Sequence, residues 1–270
     1  MASIPYPPIP ADTMRASEDS FGKNHPYLKI GDSLKEVLSG VNIAAVASAD
    51  VTLADSFWPN SLATILQFWE ELTDRQMANA TRTRVDLKYA LHLPLYFPGI
   101  KPSALCKFRQ QVQHNQVGRE AFQQLVERVE AFIDNQKKRL PDSIQMVTEI
   151  CMVSRYEIVM ETMRNAVETL ASNHPEWLRT MTLPHWYRRY YYGQNPQRNS
   201  RTFKNFETIL QSVGEDGQYL IKAVERSEVS HLMELPEIQT LCHEWQNQFE
   251  VDTDQLRLRP TNCANCTGRI

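Results

Sequence analysis

The sequence predicts a mainly α-helical protein, and three observations support that prediction. Apolar residues recur at spacings of three and four along most of the chain. Two segments, Thr73–Gln76 and Ser154–Glu157, have the composition of capping boxes, which begin helices. Alternation with period two, which is typical of strands, is scarce. The 270 residues suit one large domain or two ordinary ones.

The N-terminal half begins with a segment rich in proline and serine and then shows regular helical periodicity. Residues 1–30 are predicted to be a disordered lead-in. Pro59 is predicted to start the first helix, because proline suits the first helical turn. Ser103 is predicted to cap a helix after the proline-rich loop at 94–102. The helices predicted in this half lie at about 61–72, 74–82, 84–91, 104–114 and 122–133.

The C-terminal half is predicted to be helical after one ambiguous stretch. Val147 and Ile150 allow a strand around 141–150, on thin grounds. The capping box at Ser154 is predicted to open a long helix, and Gly193 and Gly214 are predicted to stop later ones. Those later helices are expected near 175–192, 200–213, 216–226 and 236–250.

Composition excludes some classes of protein. The net charge is −3, so binding to nucleic acid requires a local basic patch. No run of about 18 apolar residues occurs and no secretory signal is recognised, so we expect a cytoplasmic protein without membrane contact. The five cysteines are odd in number and irregularly spaced, which predicts reduced thiols, and the Cys263–Cys266 pair is interpreted as incidental.

The most informative segment is 73–109, where basic residues concentrate. It holds seven basic and two acidic residues, 7 − 2 = +5, so the remainder of the chain carries −8. Basic residues on short helices separated by tight turns are what a helix-turn-helix reader of DNA needs. From charge alone, an ordinary solvated surface is the better interpretation. The basic residues are Arg75, Arg82, Arg84, Lys88, Lys101, Lys107 and Arg109.

Two other features allow more than one interpretation. Asp142, beside the ambiguous stretch, is either a metal ligand next to a strand or an ordinary turn residue, and composition does not separate the two. Residues 186–192 read WYRRYYY, a mixture of aromatics and arginines. Such a segment either stacks on unpaired bases or forms one helix with an aromatic core face, and we favour the core.

A long segment resembles the N-terminal domain of insertion-sequence DDE transposases of the InsH-like type. Residues 72–91 read LTDRQMANATRTRVDLKYAL, close to the family pattern L-[ST]-D-R-Q-x-A-x-A-x-R-x-R-x-D-x-K-Y-A-L. Residues 103–109 read SALCKFR, similar to the family's S-x-L-x-x-F-R helix. Weaker similarities, such as Trp177-Leu178 and Gly214-x-Asp216-Gly217, extend the resemblance over roughly residues 30–270.

The resemblance implies a domain layout and a site. It implies a helical DNA-binding domain at 31–135 and the start of a ribonuclease-H-like catalytic region at 136–270. Asp142 would be the first catalytic acid and a Mg²⁺ ligand, and the DNA partner would be the terminal inverted repeats of the element, bound by a homo-oligomer. The residues implied to contact DNA are Arg75, Arg82, Arg84, Lys88, Lys107 and Arg109.

The resemblance also implies that the catalytic region is incomplete. In the family, three carboxylates hold two Mg²⁺ ions, and the second Asp and the Glu would lie beyond Ile270. Pro141 and Ile144 stand where the family has threonines. We therefore expect a truncated copy that keeps DNA binding, does not cleave or join DNA and binds no Mg²⁺ productively.

Two alternatives stay open. The chain is a helical protein-interaction domain without a role in nucleic-acid binding, or it is an active transposase whose missing acids come from a second chain or a frameshift. The placement of Arg82, Arg84, Lys88 and Arg109 discriminates between DNA binding and protein interaction. A shared exposed face favours DNA binding, whereas dispersed cations paired with acids favour protein interaction.

Overall fold

A computed structural model describes residues 6–22, 24–49, 51–131, 140, 142–191, 206–226, 229–252 and 255–260. The α-helices are α1 (Ala11–Ser20), α2 (Pro26–Asp32), α3 (Leu34–Leu38), α4 (Ile43–Ala49), α5 (Val51–Trp69), α6 (Asp74–Thr83), α7 (Val85–Ala90), α8 (Pro102–His114), α9 (Gln116–Glu130), α10 (Ser143–Asn173), α11 (Pro175–Met181), α12 (Phe206–Arg226) and α13 (Pro236–Gln248). A π-helix spans Tyr187–Tyr191 and a 3₁₀-helix spans Ser230–Glu234. The strands are β1 (Phe249–Asp252) and β2 (Gln255–Leu258).

The predicted fold class is confirmed in that the protein is mainly helical. The described strands form one antiparallel hairpin, in which Phe249 faces Leu258 and Asp252 faces Gln255. The chain divides into two compact units, 1–150 and 151–270. The division predicted at 135/136 between a DNA-binding and a catalytic domain stays a prediction.

The core of the first unit forms around three phenylalanines from different helices. Phe57 on α5, Phe108 on α8 and Phe122 on α9 are all buried. Phe108 meets each of the other two rings edge-on, with 6.1 Å between ring centroids. Aromatic side chains bury a large apolar area, and edge-to-face geometry suits their quadrupoles. These contacts hold α8 against the long helix α5.

The capping box predicted at the start of α6 is confirmed. The Thr73 hydroxyl accepts a hydrogen bond from the Gln76 amide at 3.2 Å, and the Gln76 side chain accepts one from the Thr73 amide at 3.0 Å. Two backbone donors that lack partners in any first helical turn are thereby satisfied. The start of α6 is therefore encoded locally.

The lead-in predicted to be disordered contains helix α1. Its buried residues are Thr13 and Ser17, and the Thr13 hydroxyl donates to the Leu93 carbonyl at 2.8 Å. Because this helix buries small polar side chains, it has no apolar stripe by which periodicity could reveal it.

Pro59 lies inside α5 and not at its start, which corrects the predicted helix boundary. Leu53, Phe57 and Trp58 are buried and continue the spacing of three and four toward the N-terminus. The burial of these apolar side chains therefore stabilises α5 across Pro59, although proline lacks the backbone N–H that would donate a helical hydrogen bond.

The strand suggested around 141–150 is wrong, because α10 already begins at Ser143. Ser143, Met146, Val147 and Ile150 are buried, and their spacing of three, one and three belongs to one face of a helix. The capping box predicted at Ser154 is also wrong, since that residue is buried inside α10.

The second unit is centred on α12, which continues through the predicted stop at Gly214. Gly214 lies against Phe249 and Leu256, and Gly217 lies against the indole of Trp245. The Trp245 indole nitrogen donates to the Gly214 carbonyl at 2.8 Å. These glycines serve close packing, so they do not mark a helix end. The predicted stop at Gly193 lies outside the described residues.

Cysteine states match the prediction only in part. Cys106 and Cys242 form no disulfide, whereas Cys151 is in one, which corrects the expectation of reduced thiols at that residue. Cys263 and Cys266 lie outside the described residues. Among the described helices, none combines the length and apolarity needed to cross a bilayer.

Candidate nucleic-acid interface

The segment 73–114 contains the helices α6, α7 and α8, of which α6 and α8 lie side by side. Gly99 approaches α6 so closely that an added Cβ would lie 2.6 Å from the Ala78 carbonyl and 3.2 Å from the Arg82 Cβ. The Ile100 amide donates to the Thr81 hydroxyl at 3.1 Å. The loop is therefore pinned on α6 just before α8 begins.

Arg109, a predicted DNA contact, is fully buried. Its guanidinium donates to Asp74 at 2.6 Å, and Asp74 also accepts from the Gln67 amide at 2.8 Å. A side chain without exposed surface is not placed to reach a phosphate, so the burial of Arg109 gives no support to its implied DNA contact, which stays a prediction. Arg109 ties α8 to the start of α6.

Arg84 is half-buried and is paired with acids of the first unit. It forms ion pairs with Glu70 and Asp86, the latter at 2.6 Å, and lies 5.6 Å from the ring centroid of Tyr27. Burial lowers the pKa of Arg84, but the hydrogen bonds to Asp86 and Glu70 outweigh it and raise the pKa overall. The guanidinium of Arg84, which was predicted to bind DNA, is therefore already paired with two carboxylates.

Lys88 is buried as well, and its ammonium donates to the Leu95 carbonyl. Burial lowers its pKa, and the nearby charge of Asp12 opposes that shift. Lys88 therefore links the proline-rich loop to α7, and its implied contact with DNA stays a prediction.

Two of the predicted contacts are exposed, Arg82 on α6 and Lys107 on α8, and Arg75 is half-buried. Asn79 orients Arg82, because the Asn79 side-chain oxygen accepts a hydrogen bond from the Arg82 guanidinium at 2.8 Å. Lys101, which immediately precedes α8, is also exposed. The cations that reach solvent thus gather on α6 and at the beginning of α8.

The exposed face of α8 is a polar stripe. Ser103, Lys107, Gln110 and His114 follow at intervals of four, three and four, so they share one side of the helix. Three of them are exposed and Gln110 is half-buried. The sequence of α8 contains no acidic residue. We call Arg82, Lys101 and this stripe the α8 surface.

Asp142, the implied first catalytic acid, is exposed and caps α10. Its carboxylate accepts hydrogen bonds from the amides of Ile144 at 2.9 Å and Gln145 at 3.0 Å. This is the ordinary chemistry of an N-cap. Within the described ranges, no group of three His, Cys, Asp or Glu side chains is placed to hold a metal ion. The Mg²⁺ site stays a prediction.

The second unit contains a polar cluster that sequence analysis missed. The buried carboxylate of Asp216 accepts from His185 at 3.0 Å, from the Tyr190 hydroxyl at 2.6 Å and from Arg189. Burial, followed by the charge of Asp216, raises the pKa of Tyr190 well above its usual range. The arginines and tyrosines of 186–192 were noted, but nothing in the sequence pairs them with an aspartate on α12.

Comparison with known proteins gives one match. Residues 61–111 match the family model described as a transposase domain (DUF772). The matched segment runs from the second half of α5 through α6 and α7 into α8, and supports a transposase family for that region. No curated protein and no solved structure matches the chain.

Proposed function

We propose that the first unit is the DNA-binding part of a transposase and that the α8 surface contacts duplex DNA. The observation that carries the proposal is the coincidence of two features. The family match covers most of α8, and the outer side of this helix is polar and cationic. An α-helix about 10–12 Å wide fits the major groove, which is about 12 Å wide.

The roles of the cations follow from their burial. Lys107 neutralises backbone phosphate, and so do Arg82 and Lys101. Ser103 and Gln110 carry groups that hydrogen-bond to base edges. Lys88 and Arg109 are buried and support the surface from within, and the half-buried Arg84 is held by two carboxylates. The target is the end of a mobile element, and the proposal assigns no metal-dependent step to Asp142.

A second candidate function is protein interaction without nucleic-acid binding. Arg84 and Arg109 are paired with acids, and Lys88 is buried against a carbonyl, which is the dispersed arrangement that favours this alternative. The basic segment is therefore less basic at its surface than the sequence suggests. Titration of the protein with duplex DNA distinguishes the two functions.

We expect Lys107→Ala and Arg82→Ala each to weaken duplex binding by a similar factor on all sequences. Each should also reduce the slope of log affinity against log salt by about 1, because each removes one phosphate contact. The measurement is fluorescence anisotropy at several salt concentrations, with labelled duplexes selected from a random-sequence pool.

Lys35→Ala is the matched control, because Lys35 is an exposed lysine on α3, a helix that contributes no residue to the α8 surface. It should leave affinity and slope unchanged. If folded protein does not bind duplex at low salt, or if Lys35→Ala weakens binding as much as Lys107→Ala, duplex binding by the α8 surface is wrong and protein interaction becomes the better function.

A further inference from the structure

The loop between α7 and α8 holds one aromatic side chain almost entirely in solvent. Tyr96 is 90% exposed, and it lies within the segment that matches the transposase domain. Packing within the first unit therefore does not account for this ring. A tyrosine combines a large apolar face with a polar end, and such residues are enriched where proteins contact partners. We call residues 93–100 the Tyr96 loop.

The tip of the Tyr96 loop is a hydrogen-bonded turn. The Phe97 amide donates to the Pro94 carbonyl at 2.9 Å, which puts Leu95 and Tyr96 at the two central positions of a β-turn. The ammonium of the buried Lys88 donates to the Leu95 carbonyl from α7. The backbone that carries the Tyr96 ring is therefore fixed by the turn and by the helix before it.

Both ends of the Tyr96 loop are tied to other helices of the first unit. At its beginning, the Leu93 carbonyl accepts from the Thr13 hydroxyl on α1 at 2.8 Å. At its end, the Ile100 amide donates to the Thr81 hydroxyl on α6 at 3.1 Å. A loop that is already ordered loses less conformational entropy when it binds. The structure therefore holds the exposed ring in position before any partner arrives.

Two exposed cations accompany the Tyr96 loop. Gly99 packs on α6, where a Cβ added to it would lie 3.2 Å from the Cβ of Arg82. Lys101 follows directly after the loop, and both cations reach solvent. Lys101 is five residues from Tyr96, and an extended chain of that length spans at most about 18 Å. One turn of a DNA duplex measures roughly 34 Å, so a duplex on the α8 surface is long enough to reach the ring as well.

The charge around the Tyr96 loop suits a polyanion. The sequence from 87 to 119 contains neither aspartate nor glutamate. Asp12 on α1 acts on Lys88 beneath the turn, and these two charges are opposite in sign. A phosphate backbone that approaches Tyr96 therefore meets the exposed cations Arg82 and Lys101.

We propose that the Tyr96 ring packs against deoxyribose in the minor groove next to the major groove that α8 enters. An apolar ring covers sugar carbons, while the cations beside it hold the phosphates. Proteins that place a helix in the major groove also use a flanking segment in the adjacent minor groove. This inference rests on the proposed function and extends it, because it adds an uncharged contact outside α8.

The first test is titration of the full chain into the labelled duplexes at several salt concentrations, followed by anisotropy. Tyr96→Ala should weaken binding roughly tenfold, as the loss of about 55 Å² of apolar contact would. Tyr96→Phe should bind as wild type because it keeps the ring. Neither change should alter the salt slope, because a neutral side chain releases no counterion, whereas Lys107→Ala lowers the slope.

The second test is a hydroxyl-radical footprint, since this reagent cleaves DNA at exposed deoxyribose. At saturating protein, Tyr96→Ala should lose one protected run of sugars and keep the remainder of the wild-type footprint. Ile144→Ala is the control, because it removes another exposed apolar side chain of the first unit, 52% exposed, and should leave affinity and footprint unchanged. Both side chains are exposed, so melting temperatures should not change.

The outcomes separate this inference from the proposed function. The inference is overturned if Tyr96→Ala binds like wild type, if Tyr96→Phe loses as much affinity as Tyr96→Ala, or if Tyr96→Ala leaves the footprint intact. In each of these cases, a duplex affinity that still depends on Lys107 leaves the proposed function standing. If the folded wild-type chain does not bind duplex at low salt, both are overturned.

Discussion

Gly217→Ala is expected to lower the free energy of unfolding by roughly 3 kcal/mol or more. A Cβ at this position would lie 2.0 Å from Cζ2 and 2.6 Å from Nε1 of the Trp245 indole. The indole cannot retreat easily, because its nitrogen is hydrogen-bonded to the Gly214 carbonyl on the same helix. Alanine would gain about 1 kcal/mol in helix propensity, which is smaller than the expected clash.

Urea unfolding, followed by tryptophan fluorescence, measures this effect. Gly22→Ala is the matched control, since nothing lies within 4 Å of the added Cβ and its stability should change by less than about 0.5 kcal/mol. A Gly217→Ala protein as stable as wild type would show that α12 and α13 are not packed this closely.

Asp74→Ala is expected to destabilise the first unit by roughly 3–5 kcal/mol, because it leaves the charge of Arg109 buried. The loss should be large since Arg109 Nε and Nη1 have no hydrogen-bond partner among the described residues and Nη2 relies on Asp74. The same change also removes one of the two acceptors of the Gln67 side-chain amide, which keeps its hydrogen bond to the Leu72 carbonyl.

A double-mutant cycle identifies the cause of that loss. In Asp74→Ala/Arg109→Met the unpaired charge is absent, so the double variant should unfold at a higher urea concentration than Asp74→Ala alone. The exposed pair Glu176–Arg179 supplies the control, and Glu176→Ala should have no measurable effect. If the double variant is less stable than Asp74→Ala, the buried charge is not the source of the effect.

Local features of this fold could be predicted from the sequence, whereas pairing over long separations could not. The box at Thr73 and Gln76 involves atoms three residues apart, so composition alone identifies it. Arg109 is paired with Asp74, which is 35 residues away in the sequence, and one partner of Arg84 is Glu70, 14 residues away. The sequence around each arginine does not reveal these pairs. A count of basic residues in the sequence therefore could not distinguish the exposed cations of the α8 surface from the buried ones.

The errors in the helix boundaries have a related cause. A glycine after a helical run favours a helix end. Gly214 instead lies inside α12, where Phe249 and Leu256 pack closely on the helix. A short apolar run such as Met146–Val147 suits either a strand or a buried helix, and only the whole length of α10 decides. In each case tertiary contacts outweigh the local preference.

Cys106 on α8 has a consequence for chemical reactivity. Burial raises the pKa of its thiol to about 11, although the charge of Arg109 opposes that shift, so the thiolate, which is the nucleophile, is scarce at neutral pH. The thiol is also covered by the core that α8 forms with its neighbours. Alkylation of Cys106 therefore has to wait for the first unit to open. The rate of Cys106 alkylation would therefore report how often the first unit opens around α8, the helix that we propose contacts DNA.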